Sequence, residues 1–101
     1  MIIRALVKAP GSKCRDANIQ NSFRTFQTII GGHVEALTIH EGLVLLCDEE
    51  GKLKDLKDNF LIYGGLDRIC GTCIFVGADG EDFTDISEAD RETIDCWLGI
   101  V

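Results

Sequence analysis

Leu43-Val44-Leu45-Leu46-Cys47 is the stretch on which the fold turns. Five consecutive apolar residues between Gly42 and Asp48 are too few for a buried helix and lack the polar alternation of a surface strand. They predict a strand covered on both faces, at the centre of a sheet. Upstream, residues 33–40 are rich in β-branched and aliphatic side chains and stand two residues away across Glu41-Gly42, a hairpin-sized connection. Downstream, Cys73-Ile74-Phe75-Val76 reads as a second buried strand. At the start of the chain Ile3, Ala5, Val7 and Ala9 alternate with Arg4 and Lys8, the period-two pattern of a half-buried strand, which Pro10-Gly11 ends. A weaker strand signal runs from Cys14 to Ile19.

Two helices complete the pattern. Phe23, Phe26 and Ile30 recur at helical spacing after Asn21, the expected N-cap, and Gly31-Gly32 stops the run. Ser87 caps a second helix, with acids in the first turns to complement its dipole and an apolar edge of Ile94, Trp97 and Leu98. Between them, residues 49–65 are charged and turn-rich, so residues 55–59 are expected to form an exposed loop, and Asp79-Gly80-Glu81-Asp82 a turn. Together these elements predict one α+β domain spanning residues 1–101. Its largely antiparallel sheet contains residues 2–8, 33–39, 43–48 and 72–77. Helices near 22–30 and 88–98 pack on one face and deliver Phe23, Phe26, Ile94 and Trp97 to the core.

The 101 residues suffice for one domain, and their net charge of -7 is unevenly placed. Residues 1–76 balance nine Lys/Arg against nine Asp/Glu, whereas residues 77–101 hold eight acids against Arg91 alone. Binding nucleic acid through phosphates requires a concentrated positive face, so direct nucleic-acid binding is not expected. The acidic end instead suits a basic protein surface, with Glu88, Asp90, Glu92 and Asp95 as candidate partner contacts. The bland alternative is a solvated helix that only aids solubility. The longest uncharged runs are ten residues, Thr25 to Val34 and Ile69 to Ala78, against the roughly 18–20 apolar residues of a membrane span. Arg4 interrupts the only apolar start, so no secretory signal is read and a cytoplasmic location is expected. Five cysteines, an odd number, then argue for reduced thiols or metal ligands over a disulfide scaffold.

Cys70-Gly71-Thr72-Cys73 has the spacing of half a tetrahedral zinc site. A thioredoxin-type pair would need a helix after its first cysteine, and here a strand follows. Cys14 and His40, each beside a turn, are the preferred remaining ligands of a structural zinc that would staple residues 61–72 to the sheet. Unrelated packed thiols are the alternative. His33 and His40, seven apart in one strand, should face opposite sides and cannot share a metal. Residues 79–85 lack the ligand alternation of a calcium loop. No serine has nucleophile-elbow glycines, and no glycine pair carries the Lys-Ser/Thr of a phosphate cradle. With no catalytic set to assemble, a non-enzymatic protein is expected.

Read together, Arg4-Ala5-Leu6-Val7-Lys8, Gly31-Gly32-His33-Val34-Glu35, Gly42-Leu43-Val44-Leu45-Leu46, Glu49-Glu50-Gly51-Lys52-Leu53, Gly71-Thr72 and Val76-Gly77-Ala78-Asp79-Gly80-Glu81-Asp82-Phe83 resemble one small family. It is the domain of unknown function 3846, and the resemblance covers almost the whole chain. That family occurs in Firmicutes, their phages and their conjugative elements, so the resemblance implies a mobile-element accessory protein inside a bacterial host cell. It brings no catalytic residues to carry over. The expected function is to bind and inhibit a host defence protein such as a CRISPR nuclease, with the acidic C-terminal helix and residues 49–65 occupying a basic surface that receives nucleic acid. The alternative is sequestration of a nucleotide signal, which would require an apolar pocket supplied with cations such as Arg4, Lys8 or Arg24.

Overall fold

A computed structural model describes residues 1–101. In chain order the elements are β1 (Ile2–Lys8), β2 (Arg15–Gln20), α1 (Phe23–Ile30), β3 (Val34–His40), β4 (Leu43–Asp48), β5 (Asp58–Ile62), β6 (Asp67–Cys70), β7 (Cys73–Asp79), β8 (Asp82–Thr84) and α2 (Glu88–Leu98). The main sheet is antiparallel in the order β2-β1-β7-β4-β3, and β8 pairs with the end of β7 that β1 leaves free. β5 and β6 form a separate antiparallel hairpin. The α+β class with a mostly antiparallel sheet is therefore as the sequence predicts. β4 is buried at all six positions and lies between β3 and β7, the central place its unbroken apolar run requires.

The helices do not share a face. Ile3, Ala5, Val7, Val44, Leu46, Ile74 and Val76 form one layer, covered by Phe26 and Ile30 of α1. Leu6, Leu43, Leu45, Cys47, Cys73 and Phe75 form the other, covered by Ile94 of α2 and by Ile62 and Ile69 of the hairpin. β4 and β7 are apolar at both parities, and β1 buries Leu6 opposite Ile3, Ala5 and Val7, so both faces need cover, and the eight residues of α1 shield only one. The expectation that β1 is half-buried fails for the same reason: Leu6 is fully buried, and Lys8 is only 6% exposed.

Residues 55–59, expected as an exposed loop, instead lead into β5 of the hairpin. Ile62 and Ile69 point into the core, and Asn59 bolts the hairpin to the sheet. Its amide donates to the carbonyls of Lys8 and Gly71 at 3.0 and 2.8 Å, and its carbonyl accepts from the Lys8 ammonium. That bond, with the Phe60 ring 5.6 Å from the ammonium, compensates the burial of Lys8. Two of the four expected helix anchors also stand apart from the core. Phe26 and Ile94 are buried, but Phe23 in the first turn of α1 is 66% exposed, and Trp97 in the last turn of α2 is 44% exposed. Trp97 rests edge-on against Phe60 and Phe75, at 5.2 and 6.2 Å between ring centroids. No helix is long and apolar enough to cross a membrane.

Candidate functional site

The four residues expected to ligate zinc are not brought together. Cys14 is buried against the C-terminal segment, where its N–H donates to the Gly99 carbonyl and its own carbonyl accepts from Val101. Cys73 lies in the middle of the main sheet, register partner of Lys8. Cys70 belongs to the hairpin instead, and its thiol donates to Asp58 at 3.4 Å. His40 is on the surface at the β3–β4 turn. No three His, Cys, Asp or Glu side chains are grouped so as to hold a metal ion. Burial pushes the thiol of Cys47 up to about 11 and raises those of Cys14 and Cys73 as well, so the thiols pack as apolar side chains.

His40 has a different partner. The register of β3 against β4 shifts between Thr38 and His40, so that His40 stands opposite Leu43 and shares its face, the one covered by α2. Its Nδ1 faces the Glu41 carbonyl and its Nε2 the Asp90 carboxylate, both at 2.8 Å. Both partners are pure acceptors, so only the doubly protonated ring satisfies them. The Glu41 carbonyl first, and the Asp90 carboxylate after it, raise the His40 pKa above its ordinary value.

Asp90 is thus committed within the molecule, and so are two more of the four acids expected to meet a partner. Glu88 pairs with Arg4 at 3.1 Å, and Asp95 accepts the Ile100 N–H at 2.9 Å. Arg91 reaches back to form two hydrogen bonds with Asp16, at 2.9 and 2.5 Å, which hold the Asp16 carboxyl below the usual carboxylate range. The basic start of the chain and its acidic end are therefore stitched to each other. Of the four, only Glu92 makes no ion pair or side-chain hydrogen bond.

The free carboxylates lie elsewhere. Asp79, Glu81 and Asp82 make up the β7–β8 turn with Gly80, whose φ of 63° suits glycine, and none of the three is in an ion pair. With Glu41 on the neighbouring β3–β4 turn they make this end of the sheet acidic. Beside the turn, where α1 begins, a surface cavity of about 240 Å³ is lined by Phe23, Phe26, Phe83, Glu81 and Asp82 together with Asn21 and Ser22. Phe26 and Phe83 meet edge-on at 5.8 Å, and Phe23 meets Phe26 in the same way at 6.4 Å. Asn21 donates to the Phe83 carbonyl at 3.0 Å and thereby ties α1 to β8, while Ser22, not Asn21, caps the helix by accepting from the Thr25 N–H. Arg4, Lys8 and Arg24, the cations named for a nucleotide pocket, line none of the four cavities in the structure. The sequence presents this site only as a turn followed by an aromatic residue, because Phe23 and Phe83 are 60 positions apart.

Residues 3–97 match the profile of a family described as Domain of unknown function (DUF3846). The chain belongs to that family. No curated protein and no solved structure matches it. The matched span of this DUF3846 domain runs from β1 into the last turn of α2, so it takes in both the stitched helix and the free acidic turn.

Proposed function

We propose that this DUF3846 protein is a non-enzymatic accessory protein of phages and other mobile elements. It binds and inhibits a host defence protein such as a CRISPR nuclease, in the cytoplasm of the bacterial host, by occupying a basic surface that loads nucleic acid. The observation that carries the reading is the acidic end of the sheet, where Asp79, Glu81 and Asp82 have no counter-charge of their own. Elsewhere in residues 77–101 Asp85, Glu88, Asp90 and Asp95 are neutralised or hydrogen-bonded internally, so the turn, with Glu92 as the one further unpaired acid, is the main part of the acidic segment left for a partner. Unpaired charges of one sign at a rim accelerate encounter with the opposite sign and are screened by salt.

The test is a pull-down from cells expressing defence systems, followed by a nucleic-acid loading assay on the captured protein. The expected result is a nuclease or other nucleic-acid-binding protein, captured in a salt-sensitive manner and prevented from loading its nucleic acid. Capture of a protein that loads its nucleic acid normally in the presence of this chain, or turnover of a small substrate by the purified protein, would overturn the reading.

A further inference from the structure

We propose that the cavity between Phe23, Phe83 and the β7–β8 turn receives a single arginine side chain of the partner. The inference rests on the protein-binding reading above and names the group that is recognised.

The lining decides the ligand class. Phe26 closes the floor, Phe83 forms a wall, and Phe23 stands exposed at the mouth, so the ring surface available to a ligand is aromatic. The Asn21 amide donates to the Phe83 carbonyl, and the Ser22 hydroxyl is engaged with Thr25. The only full charges in the lining are negative, the carboxylates of Glu81 and Asp82, and neither is in an ion pair. A ligand must therefore bring N–H donors, positive charge and a face that stacks on aromatic rings. A guanidinium meets all three, since its planar fork matches carboxylates and it stacks where an ammonium cannot.

Size agrees with this. A cavity of about 240 Å³ falls below the roughly 300–1,000 Å³ of small-molecule sites and suits one side chain. The N-terminus of α1 also faces the cavity, and its half positive charge opposes a cation. Against two full carboxylates, that leaves the site negative. Arg24, on the same helix, lines no part of the cavity and pairs with neither acid. Aromatic residues and arginine are both enriched at protein interfaces, which suits an aromatic cavity that takes an arginine.

The experiment is an amide-resolved NMR titration of the intact protein with a tri-arginine peptide, with tri-lysine and an uncharged tripeptide as controls. Saturable shifts are expected at residues 21–23 and 81–83, several-fold weaker with tri-lysine and absent with the uncharged peptide. Glu81→Gln with Asp82→Asn should weaken tri-arginine binding about tenfold or more, and Phe23→Ala, at an exposed position, should also weaken it while leaving the fold intact. Equal response to both cationic peptides, shifts spread over all the acids, or binding unchanged in the variants would overturn the proposal. Self-association that Arg24→Ala abolishes would reassign the cavity to a second copy of this chain. The two readings fail separately. If a captured host protein binds the variants as well as the unaltered chain, the arginine cavity is wrong and the protein-binding function stands. If tri-arginine binds as described but no host protein is inhibited, the reverse holds.

Discussion

α2 and the β7–β8 turn share the acidic last quarter of the chain, yet they use their charge in opposite ways. On α2, Glu88 and Asp90 are matched to Arg4 and His40, and Asp95 closes the helix end. In the turn, Asp79, Glu81 and Asp82 face solvent unmatched. The difference follows from position. α2 lies within reach of Arg4 on β1 and His40 at the end of β3, the cations that its acids meet, whereas no Lys, Arg or His is paired with the β7–β8 turn. Net charge along a sequence is therefore a poor guide to which charges are available to a partner.

The largest effect should come from treating α2 as a structural element. Ile94→Ala removes its buried anchor and should cost about 2–5 kcal/mol in urea unfolding. Neutralising Asp79, Glu81 and Asp82 together should stay within about 0.5 kcal/mol, as for exposed positions generally. A loss under about 1 kcal/mol for Ile94→Ala would break the contrast. The hairpin beneath Trp97 offers a second probe. Asn59→Leu strips the acceptor from the Lys8 ammonium and should cost about 1–3 kcal/mol, with a change in Trp97 fluorescence because Phe60 lies against the indole.

A smaller effect should appear with pH. The folded-state pKa of His40 is raised above its unfolded value, so its stabilising contribution is fully present below the unfolded value and is lost as pH rises through the folded one. Urea midpoints at about pH 5.5 and about pH 8.5 should therefore differ more in the unaltered chain than in His40→Gln. An equal difference in both would show that the Asp90–His40 link does not hold α2 in solution.

Charge reversal sharpens the comparison further. Lysine at Glu88, Asp90, Glu92 and Asp95 should lower stability, each exposed pair contributing up to about 1 kcal/mol. Lysine at Asp79, Glu81 and Asp82 should instead slow association with the captured partner and flatten its salt dependence, with the unfolding midpoint unchanged. The smallest expected effect concerns metal. Chelation should leave the melting temperature unchanged, since Cys70 and Cys73 belong to separate sheets and His40 is engaged with Asp90. A fall in melting temperature on chelation that Cys70→Ser abolishes would restore the zinc reading.

The elements that depend on local pattern were legible without coordinates. The unbroken apolar run of β4, the capped and amphipathic helices and the glycine-closed turns each state their own structure, because burial periodicity and capping act over a few residues. From them the α+β class and the central place of β4 follow. What required the tertiary structure was everything set by partners distant in sequence. The hairpin of residues 58–70 was hidden because its two core residues, Ile62 and Ile69, stand among charges whose pairing only the fold shows, Arg68 with Asp58 and Asp67 with Lys52. Both faces of β1 are covered because Asn59, 51 positions away, receives Lys8. Glu88 and Asp90 of α2 are taken up by Arg4 and His40, 84 and 50 positions away, and the cavity forms where Phe23 and Phe83 both meet Phe26. Charge and aromaticity are properties of residues that a sequence displays, but pairing depends on separation in space, and only the fold sets that distance.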